Sequence, residues 1–181
     1  DEMVEIFSPV LNALSVIALR SGTLLATAGS TVEVPNFQHL LKCGESLSNV
    51  QLFPIHFLTP TTFKQDKRYV IFPQESLILQ SLISRWNVSF PEAAMDDEDA
   101  FQALLRGIHI VDYNLHTTRY PMKQVRLPAF QGRISIETRL PAPMMALWTT
   151  LYSFAPYAGI GVKTTLGMGG VSMMKASNLP V

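Results

Sequence analysis

"QGRISIETRLPAPMMALWTTLYSFAP", residues 131–156, carries two hydrophobic periods in succession. Across 131–140 the pattern alternates, with Ile134, Ile136 and Leu140 on one side and Arg133, Ser135, Glu137 and Arg139 on the other. A period of two belongs to a strand with one face buried. From Pro143 onward, Met144, Leu147, Trp148, Leu151 and Phe154 recur along one stripe, the spacing of a helix that buries one side. Pro143 suits a first helical turn, and Pro156 is expected to stop the helix. A strand thus runs straight into a helix.

Working outward fixes the order of the other elements. Upstream, "GIHIVDYNLHTTRYP" (107–121) is rich in β-formers, and "MKQVRLPAF" (122–130) reads as a basic, Pro-containing connector between two strands. "NVQLFPIHFLT" (49–59) is an apolar run bounded by turn residues, a buried strand with Pro54 at a bulge or edge. "RYVIF" (68–72) is a short strand, and Pro73 opens a helix that repeats Leu79, Leu82, Ile83 and Trp86. A linker and a shorter helix fill 91–107, and the run Asp96, Asp97, Glu98, Asp99 suits a solvated helix start at the positive end of the helix dipole. "GGVSMMK" (169–175) closes as a strand. From residue 49 the order is β-α-β-β-α-β with one inserted helix. That order predicts an α+β, ferredoxin-like domain with an antiparallel sheet and both helices on one face, leaving the other face open to a ligand.

Residues 1–48 do not repeat this order. "VEIFSPVLNALSVIAL" reads as a short strand and a helix, "GTLLATAGSTVEV" as a strand or hairpin, and "NFQHLLKC" as a short helix capped by Asn36. At 181 residues, 48% apolar and 15% charged, the chain is a folded globular protein and lies outside the disordered class. Its one cysteine, Cys43, cannot form an intrachain disulfide and fits a reducing compartment. No apolar run reaches the roughly 18 residues needed to span a bilayer. The zero net charge conceals an asymmetry. Residues 1–105 carry six Lys/Arg against twelve Asp/Glu, whereas 106–181 carry eight against two. Such a split points either to a polyanion-facing C-terminal half or to two halves that attract each other.

Between the last helix and the last strand, "YAGIGVKTTLGMGGV" (157–171) holds five of the chain's ten glycines. It is not a phosphate-binding P-loop, because Val162 rather than glycine precedes Lys163 and the segment leads from helix into strand. The dinucleotide fingerprint fails as well, since Thr164 stands where its third glycine belongs. Gly159 and Gly161 can adopt positive φ and admit another backbone, either a strand entry of the same protein or a ligand. Lys163, Thr164 and Thr165 add one cation and two hydroxyls, groups that a sugar–phosphate chain would use.

These residues carry a resemblance. "GIGVKTTLGMGGV", following a helix that ends "LYSFAPYAG", resembles the C-terminal glycine-rich loop of the CRISPR-associated endoribonucleases that cut precursor CRISPR RNA within its repeats. "IHFLTPTTFKQDKRYVIFPQESLILQSLISRWN" resembles the opening of their second domain: a strand, a T-P-T-x-F turn and a helix ending R-W-N. "AFQGRISIETRL" is similar to their strand before the last helix. The likeness covers about residues 50–173.

The resemblance implies two ferredoxin-like domains of the RAMP superfamily. Residues 1–48 would be the remnant of the first, 49–176 the C-terminal RAMP domain, and 177–181 a tail. The opening strand and helix of the first domain would be absent. Family members usually carry their general-base histidine there, and it matches no position here, so this chain is expected to bind RNA without cutting it. The implied reaction uses neither metal nor cofactor: a ribose 2′-hydroxyl attacks the adjacent phosphate, leaving a 2′,3′-cyclic phosphate and a 5′-hydroxyl. The implied partners are CRISPR repeat RNA and other CRISPR effector subunits in the cytoplasm, without a membrane, and a homodimer stays open.

The expected RNA contacts are Gly159, Gly161, Lys163, Thr164, Thr165, Gly167, Gly169 and Gly170 through the loop's amides and side chains. The basic segment 119–133 adds Arg119, Lys123, Arg126 and Arg133, with Tyr120 and Phe130 interleaved, unless it is simply a solvated hairpin. His116, beside Thr117, Thr118 and Arg119, is a further candidate contact and, in a third reading, the base of a stand-alone ribonuclease. His39 and His56 read as structural or surface residues. No His or Cys cluster has metal-ligand spacing. A competing reading is a non-catalytic RAMP-like subunit whose glycine loop packs on a protein neighbour.

Overall fold

The computed structural model of the chain describes Pro9 and residues 16–19, 22–25, 36–122 and 125–173. Its elements are β1 (Val16–Leu19), β2 (Gly22–Leu25), α1 (Phe37–Glu45), β3 (Leu52–Thr61), β4 (Phe63–Gln65), β5 (Arg68–Val70), α2 (Glu75–Ser89), α3 (Glu98–Gly107), β6 (Ile108–Pro121), β7 (Arg126–Thr138), α4 (Ala142–Ala158) and β8 (Val171–Met173). The chain divides into two compact units, Asp1–Val34 and Pro35–Val181.

In the first unit β1 and β2 form an antiparallel hairpin, with Val16 opposite Leu25 and Leu19 opposite Gly22. A helix was the expectation for Val16–Leu19. The β-branched pair Val16–Ile17 suits a pleated ribbon, and β2 supplies the ladder that a lone strand would lack. The second unit starts at Pro35 rather than at residue 49, and α1 is the reason. Asn36 caps α1 by accepting the His39 amide at 2.9 Å. Leu40 is 1% exposed within the main core. Gly44 lets α1 lie close against α4, for a Cβ there would sit 2.9 Å from the Thr150 amide nitrogen.

The sheet of the second unit runs β6-β7-β3-β8, every neighbouring pair antiparallel. With α2 between β3 and β6 and α4 between β7 and β8, this is the ferredoxin-like βαββαβ arrangement. Alternation turns Phe53, Ile55 and Phe57 of β3 and Ile134 and Ile136 of β7 toward the helices. There they meet Leu79, Leu82 and Trp86 of α2 and Trp148, Leu151 and Phe154 of α4, all buried. Burying each such side chain stabilises the fold by about 1.5–3 kcal/mol. Edge-to-face aromatic pairs orient the layers, with ring centroids 5.7 Å apart for Phe53–Trp148 and 5.4 Å for Trp86–Phe154. Tyr152 of α4 donates its hydroxyl to the Pro54 carbonyl at 2.7 Å, tying the helix layer to β3.

Two local expectations are corrected, and the helix start expected at the acidic run is present. Pro156 does not stop α4, which continues to Ala158. So near the C-terminus its missing N–H deprives one carbonyl of a partner, and Gly159, at φ 72°, ends the helix by donating to the Ala155 carbonyl. The basic connector 122–130 is mostly strand: β7 begins at Arg126, and pairing with β6 is continuous from Arg126–Pro121 to Thr138–Ile108 apart from one bulge near Val111. Buried Leu127, Ala129 and Phe130 supply the side-chain contacts that keep this half of the hairpin folded. The acidic run is a helix start, with the Asp97 carboxylate accepting the Asp99 and Ala100 amides at 2.9 and 3.1 Å.

Candidate nucleic-acid interface

The glycine segment is a loop docked on the rest of the protein through the amides at its root. Gly161 donates to Ser81 Oγ at 2.8 Å, and its carbonyl accepts from Arg85 Nη2 at 2.5 Å. Ser81 and Arg85 stand four residues apart on α2, so they share one helix face. Val162 donates to the Thr62 carbonyl at 2.9 Å, Gly169 to the Pro60 carbonyl at 3.1 Å and Gly170 to Thr59 Oγ1 at 2.7 Å. The T-P-T-x-F turn (Thr59–Phe63) and the glycine loop, about a hundred residues apart in sequence, therefore form one structure. A Cβ on Gly161 would lie 2.6 Å from the Thr62 oxygen, and one on Gly169 would lie 2.1 Å from the Ile160 oxygen. Close approach of another backbone is what these glycines permit, and that backbone is the chain's own.

The expectation that the glycine amides face a ligand is corrected accordingly. Gly159, Gly161, Gly167, Gly169 and Gly170 all donate within the chain. The amides of Lys163, Thr164 and Thr165, at the tip, have no partner among the described residues. Lys163 sits in the left-handed region at φ 61° and opens a single 3-10 turn, Thr164–Leu166. Thr165, Leu166 and Gly167 are exposed, and Lys163 and Thr164 are half-buried. Thr164 turns its methyl toward Gly159 and Gly169. Burial lowers the pKa of Arg85, whose Nε is buried without a partner. The loop root thus contains a cation that no carboxylate neutralises, since the only ion pair among the described residues is Arg139–Glu137 at 3.4 Å.

The far half of the β6–β7 hairpin braces the tip. The Tyr120 hydroxyl donates to the Leu166 carbonyl, and Met168 packs on Leu127 and Ala129. Arg119 and Arg126 are exposed. Arg126 pairs with Pro121, two residues beyond Arg119, which places both arginines on one face of the hairpin, opposite the face that Tyr120 and Leu127 offer the loop. Lys123 lies outside the described residues. Arg133 stands apart from the loop, in register with Asn114 on one side and His56 on the other. His116, exposed and opposite Gln131, is a diagonal neighbour of Arg133 on that same face. Sequence reasoning therefore named residues in two places: the loop and hairpin at the far end of the sheet, and a His116–Arg133 group near its middle.

Several site residues escaped the sequence reading. His56 joins the mid-sheet group because of register alone. Arg85 carried one signal, as the first residue of the R-W-N helix end, and Ser81 carried none. Tyr120 had been noted only as an interleaved aromatic. Among the described residues no three His, Cys, Asp or Glu side chains are grouped to hold a metal ion, and no helix is long and apolar enough to cross a membrane.

Comparison with known proteins accords with this arrangement. The chain is 35% identical over 134 residues to the CRISPR-associated endoribonuclease Cas6 of Streptococcus thermophilus, covering 74% of this chain and 55% of that protein. The chain thus spans about half the length, or less, of the curated relatives it matches. Its fold is similar to a solved Cas6 product complex, with TM-score 0.73, 21% identity and coverage of 97% of this chain and 74% of the other. It is also similar to part of a Cas6–RT–Cas1–Cas2 complex, with TM-score 0.68, 11% identity and coverage of 100% and 34%. The family profile of the CRISPR-associated endoribonuclease Cas6 matches residues 55–171, the span that contains both the T-P-T-x-F turn and the loop docked upon it, and the chain belongs to that family.

Proposed function

We propose that this chain grips CRISPR repeat RNA at the far end of its sheet, as the RNA-holding part of a Cas6 endoribonuclease of the cytoplasm. The observation that carries the reading is the loop tip: Lys163, Thr164 and Thr165 offer a cation, two hydroxyls and three amides without partners among the described residues, on a loop whose root is hydrogen-bonded to two other elements. A rigid root with donors left over at its tip favours a phosphate, because those donors are already ordered before the ligand arrives. Arg119 and Arg126 extend the cationic surface along the adjoining hairpin.

The cleavage proposed for the whole enzyme is metal-independent. The ribose 2′-oxygen attacks the neighbouring phosphorus, the 5′-oxygen leaves, and a 2′,3′-cyclic phosphate remains. In that reaction the loop would hold the RNA backbone in place. Residues 1–34 we read as part of a second ferredoxin-like domain, and other CRISPR proteins as further partners.

The test is binding of a labelled CRISPR repeat RNA by fluorescence anisotropy. Lys163→Ala should weaken binding by about 1 kcal/mol or more, the range of a charge-assisted hydrogen bond. Equal affinity of the variant and the parent would sink the assignment of this loop.

A further inference from the structure

Between the T-P-T-x-F turn and α2 stands a feature that the glycine loop and the long hairpin do not absorb. It is the short hairpin β4–β5, with Phe63 opposite Val70, Lys64 opposite Tyr69 and Gln65 opposite Arg68. Every residue from Lys64 to Tyr69 is exposed. Three of the six are cations, Lys64, Lys67 and Arg68, against one acid, Asp66, and none of the three is ion-paired among the described residues. Directly opposite residues on a two-stranded ribbon share a face, so Lys64 and Tyr69, the latter 37% exposed, stand as a cross-strand pair on one face.

The root of this hairpin joins the two elements that carry the cationic groups described above, the glycine loop and the long hairpin. Thr62 accepts the Val162 amide at 2.9 Å, so Lys163 is the residue after that bond on one chain and Lys64 is two residues beyond it on the other. At about 3.3 Å per residue, the Lys64 backbone lies within about 7 Å of the loop root. On its other side Phe63 stacks on Phe130 of β7, with ring centroids 6.1 Å apart. Alternation puts Phe130, Pro128 and Arg126 on the same face of β7. The short hairpin is therefore anchored to the loop by a backbone bond and to the arginine-bearing face of the long hairpin by a ring stack. Its two-residue turn has positive φ at both positions, 49° at Asp66 and 64° at Lys67. Asn-Gly is the sequence that such a turn favours. Lys67 holds a strained conformation that glycine would adopt freely, at the very apex of an exposed ribbon.

We infer that the β4–β5 hairpin is a second RNA-contacting arm, in which Lys64, Lys67 and Arg68 pair with backbone phosphates and Tyr69 stacks on an unpaired base. The inference rests on the RNA-holding reading of the loop and adds an element to it. The ligand it fits is single-stranded RNA flanking the segment held at Lys163, because a stacking ring needs a base free of its duplex.

The experiment uses the full chain and a labelled CRISPR repeat RNA, with affinity measured by anisotropy across a salt series. Lys67→Ala/Arg68→Ala should lower the magnitude of the slope of log affinity against log salt by about 1–2, since each lost phosphate contact removes slightly less than one. Arg106→Ala/Arg139→Ala removes the same charge at the opposite end of the sheet, where Ile108 pairs with Thr138, and should leave the slope unchanged. Equal slopes for the two double variants would overturn the arm. A second variant, Asp66→Asn/Lys67→Gly, relaxes the turn. It should raise the melting temperature yet weaken RNA binding, whereas unchanged binding in the better-folded variant would again overturn the arm. Ultraviolet crosslinking should give an RNA adduct at Tyr69. Loss of binding in the hairpin variants with none in Lys163→Ala would sink the loop reading and leave the arm standing, and a parent chain that binds no RNA would sink both.

Discussion

At the scale of single residues, two glycines of one loop answer to different physics. Gly161 combines φ 97° with a site where a Cβ would meet the Thr62 oxygen at 2.6 Å, whereas Gly167, at φ 84°, has open space around it. Gly161→Ala should therefore suffer both a backbone penalty and a steric one, about 3 kcal/mol or more, and Gly167→Ala only the backbone penalty, about 1 kcal/mol. Denaturant unfolding of the two variants measures the difference, and similar losses would show that the root contact yields. Lys163 stands in the left-handed region without glycine's freedom, at the one place in the loop where a charge is offered outward. Its residue type and its place beyond the last helix were legible in sequence. That the amides of Gly161, Val162, Gly169 and Gly170 were already occupied was not, because their acceptors, Ser81, Thr62, Pro60 and Thr59, lie 80 to 111 residues away.

At the scale of elements, the long hairpin and the glycine loop behave as one clasp. Tyr120 reaches the Leu166 carbonyl, and Met168 fills the niche made by Leu127 and Ala129. Tyr120→Phe keeps the ring and removes the hydrogen bond. Amide exchange at Leu166–Met168 should then quicken severalfold, while the melting temperature changes little, because the bond is worth only about 1 kcal/mol at an exposed site. Exchange unchanged by the substitution would show that Met168 alone holds the tip. Periodicity identified β7 from residue 131 onward through its clean alternation. It missed Arg126–Phe130, where Pro128 and mixed polarity hide a strand that exists because 117–121 lies opposite. The same cause lengthened α4 past Pro156: a local breaker was outweighed by a face of buried Leu151, Phe154 and Ala155.

At the scale of the whole molecule, the helix and sheet layers are joined by apolar packing and by polar links such as the buried hydrogen bond from Tyr152 to the Pro54 carbonyl at 2.7 Å. Burial pushes the Tyr152 phenol well above its ordinary value near 10. In the unfolded chain it would ionise near pH ~10, while in the fold it stays protonated. Above that pH the unfolded state binds fewer protons, so stability is complete below ~10 and falls as pH rises toward the folded value. Tyr152→Phe should cost about 1–2 kcal/mol at neutral pH, by stranding the carbonyl, and should flatten the alkaline fall. Melting curves from pH ~8 to ~11 measure both, and an equally steep fall in the variant would place its cause elsewhere. Charge is organised at this scale too: Lys64, Lys67, Arg68, Arg119, Arg126 and Lys163 cluster at the hairpin end, while Asp96–Asp99 begin a helix that ends at the other. The halves of the sequence hinted at this division, yet Lys64, Lys67 and Arg68 fall in the acidic half and join the basic end only through folding. By itself the sequence determined the βαββαβ order from residue 49 onward, because the buried faces of those strands and helices are written in their own local periods. Only the tertiary structure decided which donors remain free and which cations stand together, because hydrogen-bond partners and charge neighbours are set by strands that pair across a hundred residues of chain.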